Sequence, residues 1–207
     1  MTTLRNRIRL WNHYVRDVSG VAAIEFALIL PILFALFLRV AEYARMTMYA
    51  RRVNQVTAML SDLVAREEQI NDAGFNGIED GIRTAWRPFE NVDNLQFLVR
   101  SVRRASDLAT KVPKGSAYVE WSKQLMGAQT VPKCSPYVLP VPDMVAKGNT
   151  MITVTGYYTY NTLLGVVVPS LGLTKTAFPW EFNSNHSPRN SVCVVYDNVS
   201  CSQTNCE

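Results

Sequence analysis

Hydrophobic and polar positions change register several times along this chain, and each change predicts an element. From Val21 to Leu38 the residues are apolar apart from Glu25, with Pro31 in the middle and no second charge before Arg39. Such a run is a candidate to cross a bilayer as a helix, with Pro31 removing one backbone hydrogen bond and kinking it. Past Arg39 the apolar positions thin to a helical stripe. Met46, Tyr49, Val53, Val56, Leu60 and Leu63 recur at steps of three and four, with arginine, glutamine and aspartate on the other faces. No glycine or proline interrupts residues 32–66. One helix from Val21 to about Arg66 would be about 69 Å long. Its second half predicts packing on a soluble domain rather than a coiled coil, because a sheet-forming sequence follows that needs a cover.

A second helix opens at Asn71-Asp72 and sets Phe75, Ile78, Ile82 and Trp86 on one face before Pro88 stops it. Gly74, Gly77 and Gly81 weaken it. The period then falls to two. Leu95, Phe97 and Val99 predict one strand, Ala117–Ser122 a second, Met151–Tyr160 a third, and Leu173–Trp180 a fourth ending near Pro179. Val131–Pro142 reads as a proline-rich surface loop between strands. Val192–Tyr196 and Val199–Ser202 flank Asp197-Asn198, which suits a two-residue hairpin turn. The expected fold class is α+β: a long N-terminal helix packed on a small antiparallel sheet.

Glu25 is the unusual residue. A carboxylate at the centre of an apolar helix costs about 2.5–3.5 kcal/mol on insertion scales, and less near the end. Glu25 therefore asks for a partner, and Gly20 suggests one. Cutting the chain after Gly20 would place the new amine of Val21 about one helical turn from Glu25. The amine of one copy would then neutralise the carboxylate of its neighbour.

The order Gly20-Val21-Ala22-Ala23-Ile24-Glu25-Phe26-Ala27-Leu28-Ile29-Leu30-Pro31, then Ala41-Glu42-Tyr43-Ala44-Arg45, resembles the class III signal of type IV pilins. Within that group it is similar to the TadE-like minor pilins, or pseudopilins, of the tight-adherence (Flp) pilus. The Ala117-x-Val119-x-Trp121-Ser122 and Val154-x-Gly156-Tyr157-Tyr158-x-Tyr160 strands also resemble that family's periplasmic region. The resemblance implies a leader over residues 1–20, removed by a prepilin peptidase between Gly20 and Val21. It implies a membrane-spanning part over 21–38, an amphipathic continuation over 39–66 and a globular pilin-like domain over 67–207. Glu25 would carry assembly. Expected partners are other minor pilins, the major Flp pilin, the peptidase, the inner-membrane assembly platform and the membrane. The expected place is the bacterial inner membrane, single-pass, with the C-terminal domain periplasmic and the pilus itself as a further destination.

Charge supports the leader and says little about orientation. Arg5, Arg7, Arg9 and Arg16 against Asp17 supply three of the chain's four net positive charges, leaving a nearly neutral mature protein of 187 residues out of 207. No basic stripe with interleaved aromatics appears downstream, so nucleic acid is not an expected partner. In a secretory signal the apolar region is discarded with the leader, whereas here it would stay as an anchor. Four arginines precede the span and Arg39, Arg45, Arg51 and Arg52 follow it, a tie on the positive-inside count. The family's cytoplasmic leader, and cysteines confined to the far side, break the tie.

Cys134, Cys193, Cys201 and Cys206 suit disulfides in an oxidising periplasm. Three pairings are open. The hairpin would bring Cys193 to Cys201 and leave Cys206 for Cys134. Zinc is the weaker alternative, since the Cys201–Cys206 spacing has no second close pair to complete a knuckle. No metal and no cofactor are expected. His186 reads as a solvated loop histidine, and Glu67-Glu68 and Glu79-Asp80 as solvated charge. No hydrolase elbow, phosphate loop or His-x-x-x-His pair is present. The chain reads as a structural protein and a substrate of processing, not an enzyme. Two other functions fit the same signal and anchor: a type II secretion pseudopilin, and an uncleaved bitopic periplasmic binding or sensor protein.

Overall fold

A computed structural model describes residues 19–89, 92–106, 111–162, 177–197 and Cys206. The chain divides into two units, Met1–Arg45 and Met46–Glu207. A single helix, α1 (Ser19–Arg66), supplies the described part of the first unit and continues into the second. It runs unbroken through Pro31, which has no backbone N–H to give to the helix ladder. From Val21 to Leu38 α1 is apolar on every face apart from Glu25, and Ile24, Phe26, Leu28, Ile32, Phe34 and Phe37 are each at least 60% exposed.

The second unit is an α+β sandwich of helices on one sheet, as the pattern predicts. β1 (Gln69–Ile70) and α2 (Asp72–Trp86) follow α1. The sheet strands are β2 (Leu95–Arg104), β3 (Ala117–Leu125), β4 (Pro136–Tyr137), β5 (Thr150–Asn161) and β6 (Ala177–His186), and β7 (Val195–Tyr196) ends the series. The main sheet has the order β4-β3-β2-β5-β6, antiparallel throughout. α1 lays Tyr49, Val53, Val56, Leu60 and Val64 into one core with Phe97, Val99, Ile152 and Val154 of the sheet and Phe75, Ile82 and Trp86 of α2. Full burial of such side chains is worth about 1.5–3 kcal/mol each.

The α1 stripe departs from expectation at its end. Val64 is fully buried and Leu63 is 38% exposed. A straight helix repeats every 3.6 residues, so a heptad stripe drifts about 20° per heptad and the inward position moves on by one. α2 starts where predicted, because the Asn71 side chain accepts a hydrogen bond from the Gly74 amide at 2.9 Å and caps the first turn.

The fourth strand also differs. β6 does not stop near Pro179 but runs through it to His186, paired with β5 from Asn161↔Ala177 to Ile152↔His186. An edge strand can carry proline, since half of its backbone groups face away from the ladder. His186 is accordingly a strand residue and not a loop histidine. Its Nδ1 lies 2.7 Å from Ser61 Oγ of α1, and Ser184 Oγ reaches the same hydroxyl at 2.7 Å. The proline-rich stretch likewise contains a strand, β4, paired with the start of β3. Residues 195–196 pair in parallel with 69–70. The second arm of the expected hairpin lies outside the described residues.

Gly156 sets the distance between helix and sheet. A β-carbon there would overlap Thr57 Oγ1 of α1 and sit 3.0 Å from Phe97 Cε1. Thr57 is fully buried and its hydroxyl donates to Val53 O at 2.8 Å, so it has no open direction to retreat into. Gly156→Ala should therefore destabilise the folded chain by about 1–3 kcal/mol. Thr57→Ala in the same chain should return much of that loss, because the two changes share one contact. Denaturant midpoints of the three variants in detergent measure it; strictly additive effects would refute the contact.

Candidate functional site

The first two turns of α1 hold the residues singled out for processing and assembly. Gly20 and Val21 lie in the opening turn, and Glu25 follows Val21 by four residues. Positions i and i+4 share a helix face, about 6 Å apart along the axis. Glu25 is exposed, Val21 is 50% exposed, and a β-carbon at Gly20 would meet nothing within 4 Å. The region has backbone accessible at Gly20 and a carboxylate on an otherwise apolar surface. The most apolar stretch of α1 contains no buried residue, and the helix is long and apolar enough to cross a membrane. Residues 1–18, most of the leader expected over residues 1–20, lie outside the described residues.

The cysteines sit in the second unit. Cys134 and Cys206 form a disulfide with Cα atoms 5.4 Å apart, closing a separation of 72 residues. Cys134 adopts a left-handed conformation, φ 64°, and its amide donates to Val119 O at 2.8 Å. The disulfide occupies the Cys206 sulfur, so that sulfur does not serve a metal knuckle with Cys201. Cys193 is buried and also disulfide-bonded; Cys201 lies outside the described residues.

Three polar clusters hold the elements around this framework, and none was evident from the chain's pattern. The first closes the end of α1. Arg189 N donates to Ala65 O at 3.0 Å and Asn190 Nδ2 to Arg66 O at 2.7 Å, satisfying carbonyls that a helix end leaves open. Asp62 pairs with Arg66 and Arg189, each at 2.5 Å; the Arg66 hydrogen bond is the main cause holding its carboxyl below the ordinary aspartate range. The second cluster ties α2, β3 and β7. Lys123 Nζ and the Tyr196 hydroxyl both donate to Asp72 Oδ1, at 2.7 and 2.6 Å. The Lys123 bond is the main reason the Asp72 carboxyl is pushed down, and the same bond pushes the Lys123 ammonium up.

The third cluster is buried. β3 carries a bulge, since Ser101 pairs with Trp121 and Val102 with Val119, leaving Glu120 as the extra residue. Glu120 forms an ion pair with Arg103 and accepts from Ser101 Oγ at 2.9 Å, while Arg103 Nη1 donates to Gly148 O at 2.9 Å. A lone glycine in a strand, such as Gly156, is a signal of close backbone approach that the sequence did offer. The bulge and its ion pair join residues far apart in the chain and leave no local signal.

Neither a curated protein nor a solved structure matches this chain. A family model does, over residues 20–60, and its description is TadE-like protein. The match begins at Gly20, includes Glu25 and ends within the buried stripe of α1. The N-terminal helix of this chain therefore carries a TadE-like segment.

Proposed function

We propose that this chain is a Tad pilus-associated protein and, more specifically, a minor pilin of the tight-adherence pilus. The observation that carries the reading is the TadE-like match across a helix that holds Gly20, Val21 and Glu25 in its first turns. In this reading a prepilin peptidase cuts between Gly20 and Val21, and the Val21 amine of one subunit meets the Glu25 carboxylate of another. The surface of α1 from Val21 to Leu38, apolar apart from Glu25, suits lipid before assembly and other pilin helices after it. The Cys134–Cys206 disulfide favours an oxidising compartment for the second unit. The chain is then a substrate of processing and a building part, with no chemistry of its own.

Mass spectrometry of the mature N-terminus tests this. Co-expression with a matching prepilin peptidase should shorten the chain by the 20 residues up to Gly20 and leave valine first. Gly20→Leu should block the shift. Because a side chain at position 20 meets open space, that variant leaves the helix in place and reports on recognition alone. An intact Met1 in membranes with active peptidase would end the pilin reading and favour the uncleaved bitopic protein.

A further inference from the structure

The sheet turns one face to α1 and α2, and its other face carries a polar row that the fold does not satisfy. Arg100, Thr153 and Asn185 are register partners on the neighbouring strands β2, β5 and β6, so their side chains share that outer face. Each has a buried polar atom without a hydrogen-bond partner among the described residues: Arg100 Nε, Thr153 Oγ1 and Asn185 Oδ1. Only one further such atom occurs there, Arg52 Nε on α1. Unpaired buried groups are costly, and three in one row across three strands ask for a common cause. The next row is complete by contrast. Arg100 Nη2 donates to Thr155 Oγ1 at 2.5 Å, Thr155 Oγ1 to Asn183 Oδ1 at 2.7 Å, and Asn183 Nδ2 to Glu181 Oε1 at 3.3 Å. That chain fixes the guanidinium, which also lies 5.1 Å from the centre of the Tyr137 ring.

We propose that the row binds a neutral polyhydroxylated ligand, a saccharide, through one of its hydroxyl groups. The unpaired atoms are a donor (Arg100 Nε), an acceptor (Asn185 Oδ1) and a hydroxyl that serves as either. A ligand hydroxyl answers all three, because it accepts and donates at once. An ionised carboxylate or phosphate oxygen only accepts, and Glu181 on the same face of β6 would repel it. A metal cation would meet the charge of Arg100. Tyr157, two positions beyond Thr155 and opposite Glu181, adds a part-buried ring for the C–H side of a sugar. Thr153 is fully buried, but Asn185 lies part-buried on the edge strand, and no side-chain bond among the described residues holds its amide. Rotation of Asn185 therefore opens the row from the sheet edge. This inference stands independently of processing at Gly20 and of Glu25.

The test uses the full chain in a zwitterionic detergent, because a sugar-headed detergent would compete. Methyl glucoside, methyl galactoside and methyl mannoside are added in turn and read by saturation-transfer NMR, with acetate as the charged probe. The expected result is transfer to at least one glycoside and none to acetate. Thr153→Val and Asn185→Ala should each weaken that binding about twofold to tenfold, as the loss of one neutral hydrogen bond predicts. Asn185 sits on the edge strand, so its variant decides the matter should the buried substitution fail to fold. Denaturant midpoints of the ligand-free chain add a second readout. Removing an unpaired hydroxyl as Thr153→Val should leave the midpoint unchanged or raise it, whereas removing a partner of a bound water should lower it. Transfer to acetate alone, or glycoside binding that survives both substitutions, would overturn the proposal. So would no transfer to any glycoside, and a lowered Thr153→Val midpoint would then assign the row to an ordered water only.

Discussion

Replacing Glu120 with alanine should cost the folded chain about 3–5 kcal/mol, the usual penalty for breaking a buried ion pair on one side. The side chains of Arg103 and Glu120 are 10% and 4% exposed, so water replaces little of what is lost. The Arg103 guanidinium would keep its bond to Gly148 O but lose the carboxylate, and Ser101 Oγ would lose its acceptor. Trp121 adjoins the bulge and its indole donates to Val194 O at 2.9 Å, so its fluorescence follows the event during denaturant unfolding in detergent. A second variant separates charge from shape. Arg103→Leu with Glu120→Leu should recover most of the stability, because a paired apolar replacement removes both desolvation costs together. A loss below about 1 kcal/mol for Glu120→Ala would instead mark the pair as one screened by water.

Local spacing made the N-terminal half legible. Gly20, Glu25 and Pro31 lie within a few turns of one another, and the stripe from Tyr49 to Leu60 follows directly from helical period. The error at Leu63 came from extending a heptad over a straight helix, where Val64 takes the inward place. The sheet core was legible as well, since Phe97, Val99, Ile152 and Val154 alternate as one buried face requires. What stayed hidden depends on neighbours remote in sequence. Pro179 reads as a strand end until β6 proves to be an edge. His186 reads as solvated until Ser61, 125 residues away, comes within 2.7 Å of it. The Arg103–Glu120 pair requires a bulge, and no periodicity in β3 announces one. The cysteines fall between these cases: their number favoured disulfides, but spacing alone left three pairings open.

Glu25→Ala should abolish assembly while leaving insertion and processing intact. The change removes a costly charge from an apolar run, so insertion should be as good or slightly easier. Gly20 and the residues before it are untouched, and the helix gains a residue of higher propensity. Buried core residues begin at Tyr49, far along the chain from position 25, so the second unit should keep its stability. What is lost is the carboxylate that, in the proposed assembly, meets the Val21 amine of the next subunit in a low-dielectric setting. There the pair is strongly favoured over either charge alone. Every 1.4 kcal/mol removed from a subunit contact lowers its equilibrium constant about tenfold, and a polymer meets that factor at each addition. Surface pili and crosslinks to partner pilins should therefore fall at least about tenfold, while the processed, oxidised chain accumulates in the membrane. Glu25→Gln keeps the shape and removes the charge, so it should fail in the same way. Normal piliation in the glutamine variant would transfer the role from charge to packing; normal piliation in both variants would remove Glu25 from assembly altogether.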